Sequence, residues 1–407
     1  MSSDSWQKVT FDQICKNVSK RIDNPKESEF KKFVGLEHLD TLDPKISRWG
    51  STSDVTSSMT LFKNKQILFG RRNWYLRRVA VADFDGLCSG DIYVLESING
   101  KIIKDFLPLL MHSDEFFEKN MMYSHGSMST RVKWSNLAKL EFLIPSIPEQ
   151  ENIVLLMQKI DETISNVQKL LEKTKNYAIS RRESLLTKGI GQTKFKKEKW
   201  YYEKTIKIPE DWRIRKISEI GKVIGGGTPD TDNKDFWNGD IFWVVPQELT
   251  NFNSNFIEKS KNTITKKGLE KSSAKLLQVG TILLTTRATI GECVITKIPI
   301  CTNQGFQNIL CNDNYDNLYI LYLLRHYKNI LFRVAQGTTF LEISKKSIEN
   351  LELPCSENID EQQQIACILS NLDEKINRQR SYLTDLKILR KSILNSRLTM
   401  ERKHVTN

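Results

Sequence analysis

Arginine and aromatic side chains are concentrated at residues 71–78, where the sequence is Arg-Arg-Asn-Trp-Tyr-Leu-Arg-Arg, without an acid. Guanidinium groups donate pairs of hydrogen bonds to guanine edges and to phosphates, and an asparagine amide suits adenine. The sequence therefore predicts nucleic-acid contacts by Arg71, Arg72, Asn73, Trp74, Tyr75, Arg77 and Arg78. The alternative interpretation is the edge of a β-hairpin that its charges keep soluble.

If this segment is regularly extended, alternate residues face opposite sides, so that Arg71 and Arg77 share one face and Arg72 and Arg78 the other. Arg287 has the same spacing from a short apolar stretch in the C-terminal half as Arg72 has in the N-terminal half. We therefore expect Arg72 to contact a base and Arg71 to bind phosphate or to be neutral.

A second polar cluster lies in the C-terminal half and is rich in amides, which donate and accept hydrogen bonds to base edges. Its candidate DNA-binding residues are Thr286, Arg287, Asn303, Gln304 and Gln307. Amides beside a turn also occur in ordinary loops, and that alternative stays open.

Motifs for catalysis are weak. The glycine run 225–227 precedes Thr228 and Pro229 without the Gly-Lys-Ser/Thr of a P-loop, so a loop or tight turn is favoured over a nucleotide site. The acids of residues 230–240 are too close in sequence to come from separate strands. We predict no catalytic residue in this chain; an enzyme with an unrecognised site would have it in 230–240.

The seven cysteines are scattered and form no Cys-x-x-Cys pair, and the five histidines do not cluster near them. We therefore expect neither a zinc site nor a disulfide framework, but reduced cysteines in the cytoplasm. A formal charge of +12 favours a polyanionic partner. No secretory signal or membrane span is expected.

The chain repeats itself at an offset of 212 positions. Residues 149–153 (Glu-Gln-Glu-Asn-Ile) match 361–365 (Glu-Gln-Gln-Gln-Ile), and Asp161-Glu162 matches Asp373-Glu374. Shorter matches pair Ile67 with Ile282, Cys88-Ser89 with Cys301-Thr302, Gly126-Ser127 with Gly337-Thr338, and Val132 with Ile343. Two related modules with different surfaces are therefore predicted.

A long helix follows each globular half. Apolar residues recur at alternating steps of three and four, which predicts a heptad seam for a second helix. The predicted seam residues are Ile153, Met157, Ile160, Ile164 and Leu171 in the first helix, and Ile365, Leu369, Leu372, Ile376 and Leu383 in the second. Gln379 and Arg390 interrupt the second seam. The alternative is that each helix packs only on its own half.

These elements predict an α+β protein with two similar domains, each with a curved β-sheet, separated by two long helices that form an antiparallel coiled coil. The predicted bounds are 1–148 for the first domain, 149–190 for the first helix, 191–205 for a basic linker, 206–356 for the second domain and 357–407 for the second helix and tail.

Together the features resemble the DNA-specificity subunit of type I restriction-modification systems. The resemblance rests on Pro148-Glu149-Gln150, on Leu-Asp-Glu-Lys-Ile at 372–376, on Gly-Gly-Gly-Thr-Pro at 225–229 and on Trp-Asn-Gly-Asp-Ile at 237–241. The segments 68–72 and 83–92 resemble one subgroup of its recognition domains. It covers essentially the whole chain.

The resemblance implies a non-catalytic, sequence-specific subunit whose two target-recognition domains each read one half of a split site on double-stranded DNA. It implies methyltransferase subunits, two of them, which methylate adenine with S-adenosylmethionine, and restriction subunits, which use ATP and Mg²⁺. No cofactor is expected on this chain itself. A coiled-coil adaptor without nucleic acid remains an alternative from another functional class.

Overall fold

The computed structural model describes residues 6–98, 100–122, 131–201, 204–250, 252–335 and 341–399. The predicted match of Gly126-Ser127 to Gly337-Thr338 lies outside these residues, as does the end of the predicted tail. The chain divides into two compact units: unit 1 comprises residues 1–168 and 382–407, and unit 2 comprises residues 169–381. Each long helix contributes residues to both units.

Unit 1 contains short strands and helices followed by the first long helix, of which residues 169–188 belong to unit 2. They are β1 (Gln7–Thr10), α1 (Phe11–Ile14), β2 (Cys15–Val18), β3 (Arg21–Ile22), β4 (Lys32–Val34), β5 (Gly50–Ser51), β6 (Met59–Phe62), β7 (Ile67–Gly70), β8 (Val79–Val81), β9 (Gly86–Cys88), β10 (Ile92–Ser97), α2 (Phe106–His112), α3 (Asp114–Met122), α4 (Trp134–Leu137), β11 (Glu141–Ile144) and α5 (Ile147–Lys188). Its two larger sheets have the strand orders β2-β10-β7-β8 and β3-β6-β9-β4-β5.

Unit 2 follows the same plan with different strand lengths. Its elements are β12 (Phe195–Lys199), β13 (Thr205–Pro209), β14 (Trp212–Lys216), α6 (Ile217–Ile220), β15 (Gly221–Gly225), β16 (Trp237–Val244), β17 (Phe256–Ile257), β18 (Asn262–Ile264), α7 (Lys266–Glu270), β19 (Ile282–Leu284), β20 (Cys293–Thr296), β21 (Cys301–Thr302), β22 (Gln307–Cys311), α8 (Asn317–His326), α9 (Lys328–Val334), α10 (Lys345–Glu349), β23 (Glu352–Ser356) and α11 (Ile359–Thr399). Its main sheet has the order β15-β22-β19-β20-β17.

The two units share their strand pairing. The order β2-β10-β7-β8 in unit 1 corresponds to β15-β22-β19-β20 in unit 2, and the closing pair β1-β11 corresponds to β14-β23. Large apolar side chains fill both cores, including Phe11, Phe69 and Phe116 in unit 1 and Trp212 and Tyr319 in unit 2. The predicted fold class, two similar α+β modules and two long helices, is confirmed.

The segment predicted as a basic linker differs from that interpretation. β12 and β13 pair antiparallel, with Lys197 opposite Lys207, so most of residues 195–209 form a hairpin. Ile208 is buried in the core of unit 2 and anchors it. Lys197, Lys199 and Lys207 are exposed and give the segment its basic character in the sequence, whereas Ile206 and Ile208 on the other face are less exposed.

The heptad seams are buried. Ile153, Met157, Ile164 and Leu171 of α5, and Ile365, Leu369, Leu386 and Arg390 of α11, are each less than a tenth exposed. Ile160, Leu372, Ile376 and Leu383 are half-buried.

Ion pairs show that the two helices run in opposite directions within each unit. In unit 1, Asp161 accepts hydrogen bonds from Arg390, with 2.9 Å between Nη2 and Oδ2. Nearer the start of α5, Met157 shares a core cluster with Leu394, further along α11. In unit 2, Arg182 lies 2.8 Å from Asp373, and Ile190, just after the end of α5, donates its N–H to Glu361 near the start of α11 at 3.0 Å. The antiparallel pairing predicted from the seams is therefore confirmed inside each unit.

The repeated Glu-Gln motif has a structural role at the first turn of each long helix. Gln150 is fully buried, accepts from the backbone N–H of Ile103 at 2.9 Å and donates to the carbonyls of Lys101 and Pro145. Its counterpart Gln362 accepts from Asp316 N–H at 2.8 Å and donates to two further carbonyls, those of Asn314 and Ser356. Each glutamine thus pairs with three backbone groups, and its hydrogen bond to Pro145 or to Ser356 is a buried one.

All seven cysteines are free thiols. Burial raises the pKa of six of them: Cys15, Cys88, Cys293, Cys301, Cys311 and Cys355. Cys367 lies on the exposed side of α11. In the part of the chain that the structure describes, no helix combines the length and the apolar character needed to cross a membrane.

Candidate nucleic-acid interface

Three chain segments meet in unit 1 at the end of β7, in the sheet β2-β10-β7-β8. They are residues 71–72, 89–91 and 131–132, and we call them the unit 1 junction. Arg71 follows the end of β7, and its N–H donates to the carbonyl of Asp91 at 2.9 Å. The N–H of Val132 donates to the carbonyl of Arg71, also at 2.9 Å. Backbone hydrogen bonds therefore bring Arg71, Arg72 and Arg131 together, although 59 positions separate Arg72 from Arg131 in the sequence.

Asp91 is the acid at the centre of this junction. Its carboxylate lies 2.9 Å from Arg131 Nε and 3.6 Å from Arg72 Nη1. The Asp91 side chain is 17% exposed, whereas those of Arg72 and Arg131 are 54% and 49% exposed. One recessed carboxylate thus orients two exposed guanidinium groups, and the three side chains together carry one net positive charge.

Arg71 has different neighbours. Its guanidinium carbon lies 5.1 Å from the centre of the Tyr93 ring, and Nη1 donates to the Tyr93 hydroxyl at 3.4 Å. That hydroxyl in turn donates to the carbonyl of Val132. Arg71 is therefore partly engaged in holding the junction together.

The alternation of faces that a regularly extended segment 71–78 would give does not apply, because the segment is not extended. Residues Trp74–Leu76 form a 3₁₀ turn, flanked by Asn73 and Arg77 in the left-handed region at φ 48° and 52°. Trp74 is buried and stacks on Phe117 with 6.4 Å between ring centroids. It is therefore part of the core of unit 1, and its DNA contact stays a prediction.

Arg77 and Arg78 have less exposed surroundings than Arg72. Arg77 hydrogen-bonds to Asp114 and lies over the Phe117 ring at 4.8 Å, so it serves the packing of unit 1. Arg78 is half-buried, with its Nε enclosed and without an acceptor among the described residues. Of the predicted residues in this loop, Tyr75 is the aromatic one that stays exposed, at 56%.

Unit 2 has a matching junction, formed by residues 286–287, 303–305 and 342–343. Thr286 N–H donates to the carbonyl of Gly305 at 2.8 Å, and Ile343 N–H donates to the carbonyl of Thr286 at 3.1 Å. Arg287 Nη2 lies 2.6 Å from Glu342 Oε1. Thr286 is fully buried, and its hydroxyl donates to the Gly305 carbonyl at 3.2 Å, so it has a structural role in this junction; its DNA contact stays a prediction.

The turns of the two junctions match in detail. Asp91 N–H donates to Ser89 Oγ at 3.3 Å, and Gly305 N–H donates to Asn303 Oδ1 at 2.9 Å. Val34 pairs with Cys88 in unit 1 as Val244 pairs with Thr302 in unit 2. Cys88 therefore corresponds to Thr302, and the sequence match of Cys88 to Cys301 is wrong by one residue.

The amide residues of unit 2 fall into different environments. The Asn303 side chain accepts from its own turn, as described. Gln304 is exposed and hydrogen-bonds to Thr228, whereas Gln307 is half-buried with an enclosed Oε1 that accepts no hydrogen bond from the described residues. Gln304 is thus the amide best placed to meet a partner.

The glycine run has a packing role. A Cβ at Gly226 would lie 1.9 Å from the carbonyl oxygen of Asn303, and one at Gly227 would lie 2.4 Å from the backbone N of Ala274. This close backbone approach requires glycine at both positions. The glycine run therefore packs against the junction turn at Asn303, and this packing explains the glycines without a bound nucleotide.

Two of the acids of residues 230–240 make local turn and surface contacts. Asp230 accepts from the N–H of Asp232, and Asp235 pairs with Lys267 at 2.9 Å. Within the described ranges, no three His, Cys, Asp or Glu side chains are grouped so that they would hold a metal ion.

Sequence reasoning missed Asp91, Arg131 and Glu342. A signal was present, because the repeat pairs Val132 with Ile343, and the residue before each is charged. Nothing local in the sequence, however, brings these positions beside Arg72 and Arg287.

Comparison with known proteins extends these observations. A family described as the type I restriction modification DNA specificity domain matches residues 3–176 and 209–382. The chain is 39% identical over 190 residues to the type I restriction enzyme MjaIX specificity subunit of Methanocaldococcus jannaschii, covering 46% of this chain and 44% of that protein. It is 28% identical over 192 residues to the EcoR124I/EcoR124II specificity subunit of Escherichia coli, covering 45% and 46%. The matched part therefore spans less than half of each of these two relatives.

Solved structures show the same fold over nearly the whole chain. The HsdS subunit of Thermoanaerobacter tengcongensis superposes with a TM-score of 0.52 at 18% identity, covering 97% of each chain. A chain from a structural study of the assembly and conformational transition of the type I R-M system superposes with a TM-score of 0.63 at 20% identity, covering 97% of this chain and 98% of that one.

Proposed function

Because the chain belongs to the family of type I restriction modification DNA specificity domains, we propose that it is the DNA-recognition subunit of such a system. Each unit reads one half of a bipartite, asymmetric site on double-stranded DNA. The main support for this proposal is that the same junction occurs in both units, with the same backbone hydrogen bonds and different exposed side chains. A shared backbone arrangement that presents different side chains suits two units that bind two different half-sites.

Catalysis belongs to partner subunits in this proposal. Two methyltransferase subunits supply S-adenosylmethionine-dependent adenine methylation, and restriction subunits supply ATP- and Mg²⁺-dependent cleavage. This chain positions them on DNA. The family match supports this division, because the matched family is a DNA specificity domain.

The test is selection of the purified full chain on a pool of randomised DNA duplexes at two salt concentrations. We expect enrichment of a motif with two short specific parts and an unspecified gap. Affinity should fall steeply with salt, because phosphate contacts release counterions. Salt-insensitive retention, or no retention, would contradict the proposal and favour the adaptor interpretation.

A methylation assay separates the proposal from the enzyme alternative. The chain alone should leave the selected duplex unmodified, and adding the methyltransferase subunit from the same host should methylate adenine within the motif. Methylation by the chain alone would show that it carries a catalytic site.

Arg72 remains the predicted base-reading residue of unit 1, and Arg287 its counterpart in unit 2. Arg72 is more than half exposed, whereas Arg71 packs on Tyr93. Arg72→Ala should relax one position of one half-site at a cost of roughly 1–3 kcal/mol, while Arg71→Ala should weaken all sequences alike or have no effect. Wild-type specificity in Arg72→Ala would reject this assignment.

A further inference from the structure

Arg131 and Glu342 occupy the same backbone position in the two junctions and carry opposite charges. Each directly precedes the residue whose N–H closes the junction, Val132 in unit 1 and Ile343 in unit 2. Both side chains are about half exposed, at 49% and 42%. Equivalent positions on a shared scaffold thus present a hydrogen-bond donor in one unit and an acceptor in the other.

In unit 1 the acid that holds Arg131 belongs to the turn. Arg131 Nε and Nη2 approach the two oxygens of Asp91 at 2.9 and 3.3 Å, which fixes the plane of the guanidinium group. A guanidinium has five N–H donors, so this pairing leaves others available. With Arg72 beside it, the junction has an excess of donors and of positive charge, which suits the two acceptors of a guanine edge.

In unit 2 the turn offers no acid, because Gly305 stands where Asp91 stands in unit 1. Glu342 pairs with Arg287 instead, and this pair carries no net charge. A carboxylate has room for about four hydrogen bonds and accepts from the amino group of cytosine, but it repels phosphate. The chemistry at this position is therefore inverted relative to unit 1.

We infer that residues 131 and 342 are specificity-determining residues: Arg131 donates to a guanine in the half-site of unit 1, and Glu342 accepts from a cytosine amino group in the half-site of unit 2. Asp91 is a positioning residue that acts through Arg131 and Arg72. This inference rests on the proposed function and names the base class that each junction recognises.

The experiment is the same duplex selection, made with the full-length wild-type chain, Arg131→Ala, Arg131→Lys and Glu342→Gln. Arg131→Ala should lose the guanine preference at one position of one half-site, by roughly 5- to 150-fold in relative affinity. Arg131→Lys should keep the salt dependence of binding but lose that preference, because an ammonium lacks the planar fork. Glu342→Gln should lose a cytosine preference in the other half-site only.

Asp91→Asn tests the positioning role. It leaves both arginines in place, so a purely structural role would leave the selected motif unchanged. We expect a weaker guanine preference at the same position as in Arg131→Ala, together with a steeper salt dependence, because one negative charge is lost from the junction.

Two surface variants serve as matched controls outside the junctions. Arg48 pairs with Asp40 in unit 1, and Glu258 pairs with Lys297 in unit 2, all with exposed side chains. Arg48→Ala and Glu258→Gln should select the wild-type motif.

The outcomes separate the inference from the proposed function. If the wild-type chain selects no motif, the proposed function fails and the inference falls with it. If the wild-type chain selects two half-sites and Arg131→Ala, Arg131→Lys and Glu342→Gln select the same ones, the inference is overturned while the proposed function stands.

Discussion

His112 lies fully enclosed in unit 1 at the end of α2, close to two arginines. Burial, together with the positive charges of Arg390 and Arg77, lowers its pKa from 6.5 to about 3. Below about pH 6.5, His112 therefore binds a proton in the unfolded chain but stays neutral in the folded chain. Its contribution to stability is complete above that pH and is lost as the pH falls from 6.5 towards 3.

His112→Gln should accordingly flatten the pH dependence of unfolding. In the wild type this one group changes the free energy of unfolding by about 1.4 kcal/mol per pH unit within that range. Urea midpoints between about pH 7 and pH 5 measure the slope. His326→Gln is the comparison in unit 2, where burial also lowers the histidine pKa but the side chain is partly exposed. An unchanged slope in His112→Gln would refute the assignment.

At the scale of elements, each long helix is tied to its globular half by one buried glutamine. Replacing Gln150 or Gln362 with leucine removes the side-chain partner of one N–H and two carbonyl groups, one of which lies in a buried hydrogen bond. We expect a loss on the order of 3 kcal/mol in the free energy of unfolding for either variant. Thermal and urea unfolding measure it. Gln363→Leu, at the adjacent exposed position, should change stability little; equal losses in all three would contradict this role.

Arg390, one of the two polar residues that interrupt the second seam, forms an ion pair with Asp161. Arg390 is 11% exposed at its side chain and reaches Asp161 across the helices of unit 1. Asp161→Ala should cost about 3–5 kcal/mol, because it leaves a buried charge unpaired. The double variant Asp161→Leu with Arg390→Met should recover most of that loss. Glu374→Ala, which breaks an exposed pair with Arg378, should cost less than about 1 kcal/mol. A double variant less stable than Asp161→Ala would oppose this explanation.

The elements differ in how well the sequence predicts them. The seams from Ile153 and Ile365 are predictable because helical periodicity is a local property of the chain. The 3₁₀ turn at Trp74 is not, because it depends on Asn73 and Arg77 adopting left-handed conformations that nothing in their types requires. The pairing of Asp91 with Arg131 depends on strand register, and a one-residue error of the kind made at Cys88 changes which side chains meet.

At the scale of the whole molecule, the two units share a fold but not their exposed chemistry. Exchanging residues 1–148 for the corresponding domain of another family member should therefore change one half of the selected DNA motif and preserve the other. Methylome sequencing of a host carrying the hybrid and its methyltransferase subunit measures both halves at once. A change in both halves would contradict independent reading by the two units.

The distribution of thiols makes this chain a convenient subject for fluorescence. Thiolates, not thiols, react with maleimides, and six of the seven cysteines are shielded with raised pKa values. Cys367 alone is exposed on the surface of α11. A dye should therefore attach at a single native position without mutagenesis, and its emission would report any binding event that covers that part of the helix. Cys367→Ser should abolish labelling of the folded chain.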